Sequence, residues 1–115
     1  MTELSKVPIP FAEEKNYHPF VNILEIQETI KQRIISESKT LQQNSVTNVY
    51  LRPSNHLLEV FILVDHKLKD EEAKFWCRFI CKIESGLDNV VDVCVGNEDL
   101  WKRSARRIGW VNLVF

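Results

Sequence analysis

The run Leu57-Leu58-Glu59-Val60-Phe61-Ile62-Leu63-Val64-Asp65 is apolar at its odd and even positions alike, with Glu59 as the one interruption. Successive side chains of a strand point to opposite sides, so a strand that is apolar on both sides needs cover on both. This predicts a central strand flanked by helices. A second run, Val90-Val91-Asp92-Val93-Cys94-Val95, has the same design, with Asp92 as its single carboxylate. An acid inside an apolar strand is costly unless it is paired, hydrated or holding a cation, so Glu59 and Asp92 are the first candidates for a site.

The segments around these runs alternate in type. Residues 1–18 carry Pro8, Pro10, Glu13, Glu14 and Lys15 without periodicity and are expected to form an irregular arm. From Pro19 onward, Ile23, Ile26, Ile30, Ile34 and Leu41 recur at helical spacing, which predicts one long amphipathic helix ending near Gln43. Asn44 and Ser45 break it. Residues 46–52 read as a strand and Pro53-Ser54-Asn55 as a turn, giving a hairpin with residues 57–65. Asp70 reads as the N-cap of a second helix, with Glu71 and Glu72 in its first turn and Gly86 at its end. Along that helix Ala73, Trp76, Cys77, Ile80 and Ile83 share a helical spacing. Trp76, Ile80 and Ile83 are the expected core face, packing on Leu58, Val60, Ile62 and Val64. After strand 90–95 come a turn at Gly96-Asn97, a short helix over 98–107 and a last strand or packed tail over 110–115. The order helix-strand-strand-helix-strand-helix-strand implies a small mixed sheet of the α/β (α+β) class. It forms a single domain over residues 19–115, with a right-handed crossover from the second strand to the third.

Composition narrows the classes of function. With 115 residues, 44% hydrophobic and 27% charged, the chain is expected to form one core and to fold alone. A formal net charge of -1 gives no global attraction to nucleic acid or membrane, so such binding would need a local patch. The three cysteines, Cys77, Cys81 and Cys94, lie inside apolar segments and read as small buried hydrophobes, reduced in a cytoplasmic protein. Residues 1–10 lack a basic segment followed by an apolar one, and no apolar run approaches membrane-spanning length.

The element order together with the two acids resembles the minimal nucleotidyltransferase domains of the polymerase β type, over residues 23–115. In that family a Gly-Ser turn holds the nucleotide phosphates, the second strand carries two alternating Asp residues, and a third acid lies on the next strand. Residues 57–65 look like the second strand and residues 91–95 like the strand with the third acid, while the tail from Arg107 to Phe115 is similar in character to the family's closing segment. The departures are as informative. Leu57 stands where the first metal-binding Asp would be, Glu59 replaces the second, and the turn is Arg52-Pro53-Ser54-Asn55, without glycine. Phosphoryl transfer needs metal-held phosphates and close backbone approach to them, so the resemblance implies a domain without catalysis and without a bound cofactor or metal. Some small members of this family act as the antitoxin half of a two-gene pair, which implies a protein partner; a homo-oligomer is a further possibility. A second resemblance, to the ferredoxin-like cytoplasmic domain of cation diffusion facilitators, rests on the strand-strand-helix-strand order and on His56, Glu59 and His66. The residues after Asn97 have no place in that fold.

Each candidate has a plainer alternative. Glu59 and Asp92 could hold a divalent cation between neighbouring strands, giving a residual metal-dependent nucleotidyltransferase, or each could meet an arginine or solvent at a sheet end. Cys77 and Cys81, at i and i+4, could ligate metal with Cys94, but no fourth ligand stands at a standard spacing. His18, His56 and His66 are scattered. The segment Trp101-Lys102-Arg103-Ser104-Ala105-Arg106-Arg107-Ile108-Gly109-Trp110 offers Trp101, Lys102, Arg103, Arg106, Arg107 and Trp110 as a patch for a nucleic acid or a protein partner. The plain alternative is a solvated basic helix whose indoles pack on the core, so that nucleic-acid binding is weak at most.

Overall fold

The computed structural model describes residues 22–104 and 109–113. Helix α1 spans Ile23–Ser36, α2 Ser38–Gln43, β1 Val46–Pro53, β2 Leu58–Val64, α3 Ala73–Glu84, β3 Val91–Gly96, α4 Glu98–Ser104 and β4 Val111–Leu113; a single 3-10 turn, Asp70–Glu72, leads into α3. The strands form one four-stranded sheet in the order β3-β2-β1-β4, with β2 parallel to β3 and antiparallel to β1, and β4 antiparallel to β1. This is a mixed α+β sheet, with β2 inside it as its two-sided apolar pattern requires.

The long first helix is two helices. Asn22 caps α1, its Oδ1 accepting from the backbone N–H groups of Leu24 (3.0 Å) and Glu25 (3.3 Å), so the helix starts at Ile23 rather than at Pro19, which lies outside the described residues. The break falls at Glu37. There the Ser36 hydroxyl donates to the Arg33 carbonyl at 2.7 Å and competes with the backbone ladder, while the Glu37 carboxylate meets Lys82 of α3 at 2.8 Å. Ile23, Ile30, Ile34 and Leu41 are all buried, so the apolar period runs on through the kink.

The second helix also differs in detail. Asp70 opens the 3-10 turn and is not a cap; Glu72 reaches back to accept the Lys69 backbone N–H at 2.9 Å, and the α-helix begins at Ala73. Its buried face is Trp76, Phe79 and Ile83, with Ile80 only half-buried against the core. Phe79 takes the core position expected of Ile80, because the two largest side chains of the stripe, Trp76 and Phe79, pack edge-on against each other and set the helix's rotation. Cys77 and Cys81 are thereby turned into solvent, and Cys94 is half-buried, which corrects the reading of all three as core residues. At the far end Gly86 takes φ +79°, the left-handed position that ends a helix without steric cost. Arg33 of α1 donates there to the carbonyls of Ile83 and Ser85, at 2.8 Å each, satisfying acceptors that the helix end leaves open.

The main core lies between these helices and one face of the sheet, where Leu58, Val60, Ile62 and Val64 of β2 meet Ile30, Ile34, Leu41, Trp76 and Ile83. Each such side chain contributes about 1.5–3 kcal/mol by leaving water. The opposite face carries Glu59 and Phe61 of β2 beside Asp92 and Cys94 of β3, and α4 lies over part of it. There Trp101 stacks on Tyr50 with centroids 4.3 Å apart, touches Phe61 at 5.0 Å and meets Trp110 edge-on at 5.3 Å.

Candidate functional site

Strand register builds the site. In the parallel pair, Glu59 stands directly opposite Asp92; in the hairpin, Arg52 stands directly opposite Glu59. Three neighbouring strands therefore present cation, acid, acid in one row. Arg52 Nη1 donates to Glu59 Oε1 at 2.9 Å, with the two side chains only 19% and 15% exposed, whereas Asp92 is exposed. The hairpin turn sets this alignment. Ser54 bonds the Leu57 carbonyl twice, from its backbone N–H at 2.9 Å and from its hydroxyl at 2.8 Å, so its donors are used inside the turn.

A cavity of about 330 Å³ opens over this row, walled by Glu59, Asp92, Cys94, Arg103, Ser104 and Trp110. Two acids thus face one exposed guanidinium and one indole. The Trp110 Nε1 is buried with no hydrogen-bond partner among the described residues. Burial and then the neighbouring Asp92 push the Cys94 thiol up, which keeps it protonated and a poor nucleophile.

Of the basic segment, Lys102 and Arg103 are exposed, and Trp101, on the side of α4 that meets the sheet, is half-buried; Arg106 and Arg107 lie outside the described residues. Trp101 stacks face to face on Tyr50 and meets Phe61 and Trp110 at a tilt, while Trp110 also walls the cavity. His56 and His66 lie beyond opposite ends of β2, roughly 20 Å of strand apart, so with Glu59 they do not form one site. Among the described residues, no group of three or more His, Cys, Asp or Glu side chains is arranged to hold a metal ion. The donor set at the start of β2 does not fit the metal centre of phosphoryl transfer, because Leu57, just before the strand, offers no ligand and Glu59 holds Arg52.

Two polar devices escaped the sequence reading. His66 links the end of β2 to the start of α3, its Nδ1 2.8 Å from Asp65 Oδ1 and its Nε2 2.9 Å from Glu72 Oε2. The hydrogen bond to Asp65, then that to Glu72, holds the imidazole pKa above its usual value, and the Lys69 N–H, then His66, holds Glu72 below its own. An acid on each side of the loop was the available signal. The second device is Glu84, whose carboxylate accepts the Val93 backbone N–H at 3.2 Å on edge strand β3. Burial pushes its pKa up, against the lowering effect of that N–H.

No helix among the described residues is long and apolar enough to cross a membrane. No family model matches the chain, and no curated protein matches it. Among solved structures, it is similar to a chain of a complex described as a tri-AMPylated Shewanella oneidensis HEPN toxin with an MNT antitoxin. The identity is 22% and the TM-score 0.45, over 76% of this chain and 71% of that one, a likeness too distant to carry an argument.

Proposed function

We propose that this chain is a nucleotidyltransferase-like domain without catalysis, acting by binding a protein partner in the manner of an antitoxin. One observation carries the reading: the Arg52–Glu59 ion pair occupies the position where the resemblance would put a metal-binding acid. A guanidinium there supplies positive charge at a fixed place, so the strand end keeps its shape without a cation. Ser54 supports the same view, because its N–H and hydroxyl both bond the Leu57 carbonyl within the turn and leave no donor aimed at a phosphate.

Two measurements test it. Magnesium or manganese at millimolar concentration, with or without ATP, is expected to leave the melting temperature unchanged. A true site at about 100 times its Kd would add about 2.7 kcal/mol, about 10 °C for a chain of this size. A rise that vanishes in Glu59→Gln and in Asp92→Asn would overturn the non-catalytic reading. Co-expression with the product of the neighbouring gene is expected to give one complex on size exclusion, and separate elution of the two would remove the partner assigned by analogy.

A further inference from the structure

The buried side of α3 is Trp76, Phe79 and Ile83, and one turn of its solvent side carries Cys77 and Cys81, both exposed. Cysteine is among the most buried residue types, and an exposed thiol is a liability that serine at the same position would avoid. No packing in the described structure requires sulfur at either place. Two of them, one helical turn apart, call for a chemical reason.

Spacing says which chemistry suits the pair. Side chains at i and i+4 have their Cβ atoms about 5–6 Å apart, whereas a disulfide needs about 3.8 Å. A direct S–S bond would therefore distort the helix. A single atom bridging the sulfurs closes the gap, since two metal–sulfur bonds of about 2.3 Å span up to about 4.6 Å between sulfurs. Cys94 takes no part, because it lies on the face of the sheet that α3 does not cover.

We propose that Cys77 and Cys81 form a two-sulfur site on the solvent face of α3 for one thiophilic centre, a trivalent arsenical or a soft two-coordinate metal ion. With a monosubstituted arsenic(III) oxide the two S–H bonds break, two S–As bonds form, and the oxide oxygen leaves with both protons as water. Arsenic stays trivalent and nothing is oxidised. With a soft metal ion the thiols release two protons and bind as thiolates. The site is independent of the Glu59–Asp92 cavity and of the partner-binding reading.

The test uses the full chain, reduced, with phenylarsine oxide as probe and mass spectrometry as the count. One equivalent is expected to bind and to raise the melting temperature, because it staples one turn of α3. Cys77→Ser and Cys81→Ser are each expected to weaken binding by about 100-fold or more, the loss when two linked contacts become one. Cys94→Ser is expected to leave it unchanged. Mercury(II) ions should show the same dependence on both thiols, and zinc should not, having two of its usual four ligands missing. All these positions tolerate serine if circular dichroism of the unliganded variants matches the parent. Two equivalents bound, single variants that keep their affinity, dependence on Cys94, or ready closure of an internal Cys77–Cys81 disulfide would each overturn the proposal.

Discussion

Arg52 and Glu59 sit in a setting where an ion pair matters more than on an open surface, since both side chains are mostly shielded and Asp92 stands on the next strand. Arg52→Met leaves Glu59 facing Asp92 with a major counter-charge gone. Glu59→Gln leaves the guanidinium short of its carboxylate. Each is expected to cost about 1–3 kcal/mol in urea unfolding at neutral pH, as loss of a charged hydrogen-bond partner does. Changes below about 0.5 kcal/mol would mean that solvent screens the pair as on an ordinary surface. Glu59 was legible in the sequence because an acid in an apolar strand is conspicuous. Arg52 was not, because only the register of the hairpin brings it opposite. The same scale holds a pH prediction. His66 has its pKa raised, so its contribution to stability is complete below the unfolded value of about 6.5 and is lost as pH rises through the folded one. Glu72 has its pKa lowered, so its contribution is complete above the unfolded value of 4.5 and is lost as pH falls through the folded one. The gap in stability between the parent chain and His66→Gln is expected to be widest between these two values. An NMR titration placing the His66 pKa at or below 6.5 would refute the clamp.

At the scale of elements, α3 is positioned by the sheet and, at its C-terminal end, also by α1. Arg33 closes its last carbonyls and Glu37 holds Lys82, so the kink after α1 and the end of α3 are fixed together. The buried stripe then predicts an order of sensitivities. Ile83→Ala is expected to cost about 2–5 kcal/mol, as a fully buried large-to-small change does, and Ile80→Ala less than half as much. Equal losses, read from denaturant midpoints, would mean that the stripe is centred on Ile80. Period and turn residues made most elements legible: both strands of the hairpin, the stop at Gly86 and the strand around Asp92. The break at Glu37 was illegible because no glycine or proline marks it, and its causes are a serine hydroxyl and a charge partner from a distant helix. The phase of α3 was illegible for a related reason, since Trp76, Phe79, Ile80 and Ile83 all fit a helical stripe and packing volume decides among them.

At the scale of the molecule, the described residues clothe the sheet unequally, with three helices over one face and the short α4 with its aromatic cluster over part of the other. The edge at β3 is blunted by Glu84, which takes the outward Val93 N–H that would otherwise invite another strand. The other edge is closed by β4, where Leu113 pairs with Val49 and is buried. That pairing spans more sequence than any other strand contact among the described residues. A local hairpin therefore forms early, while its outer edge waits for a distant three-residue strand that costs more chain entropy to bring in. Until that strand docks, the outer edge of β1 stays unpaired and open to the wrong neighbour, so loss of residues 111–113 is expected to raise aggregation on refolding, read by light scattering.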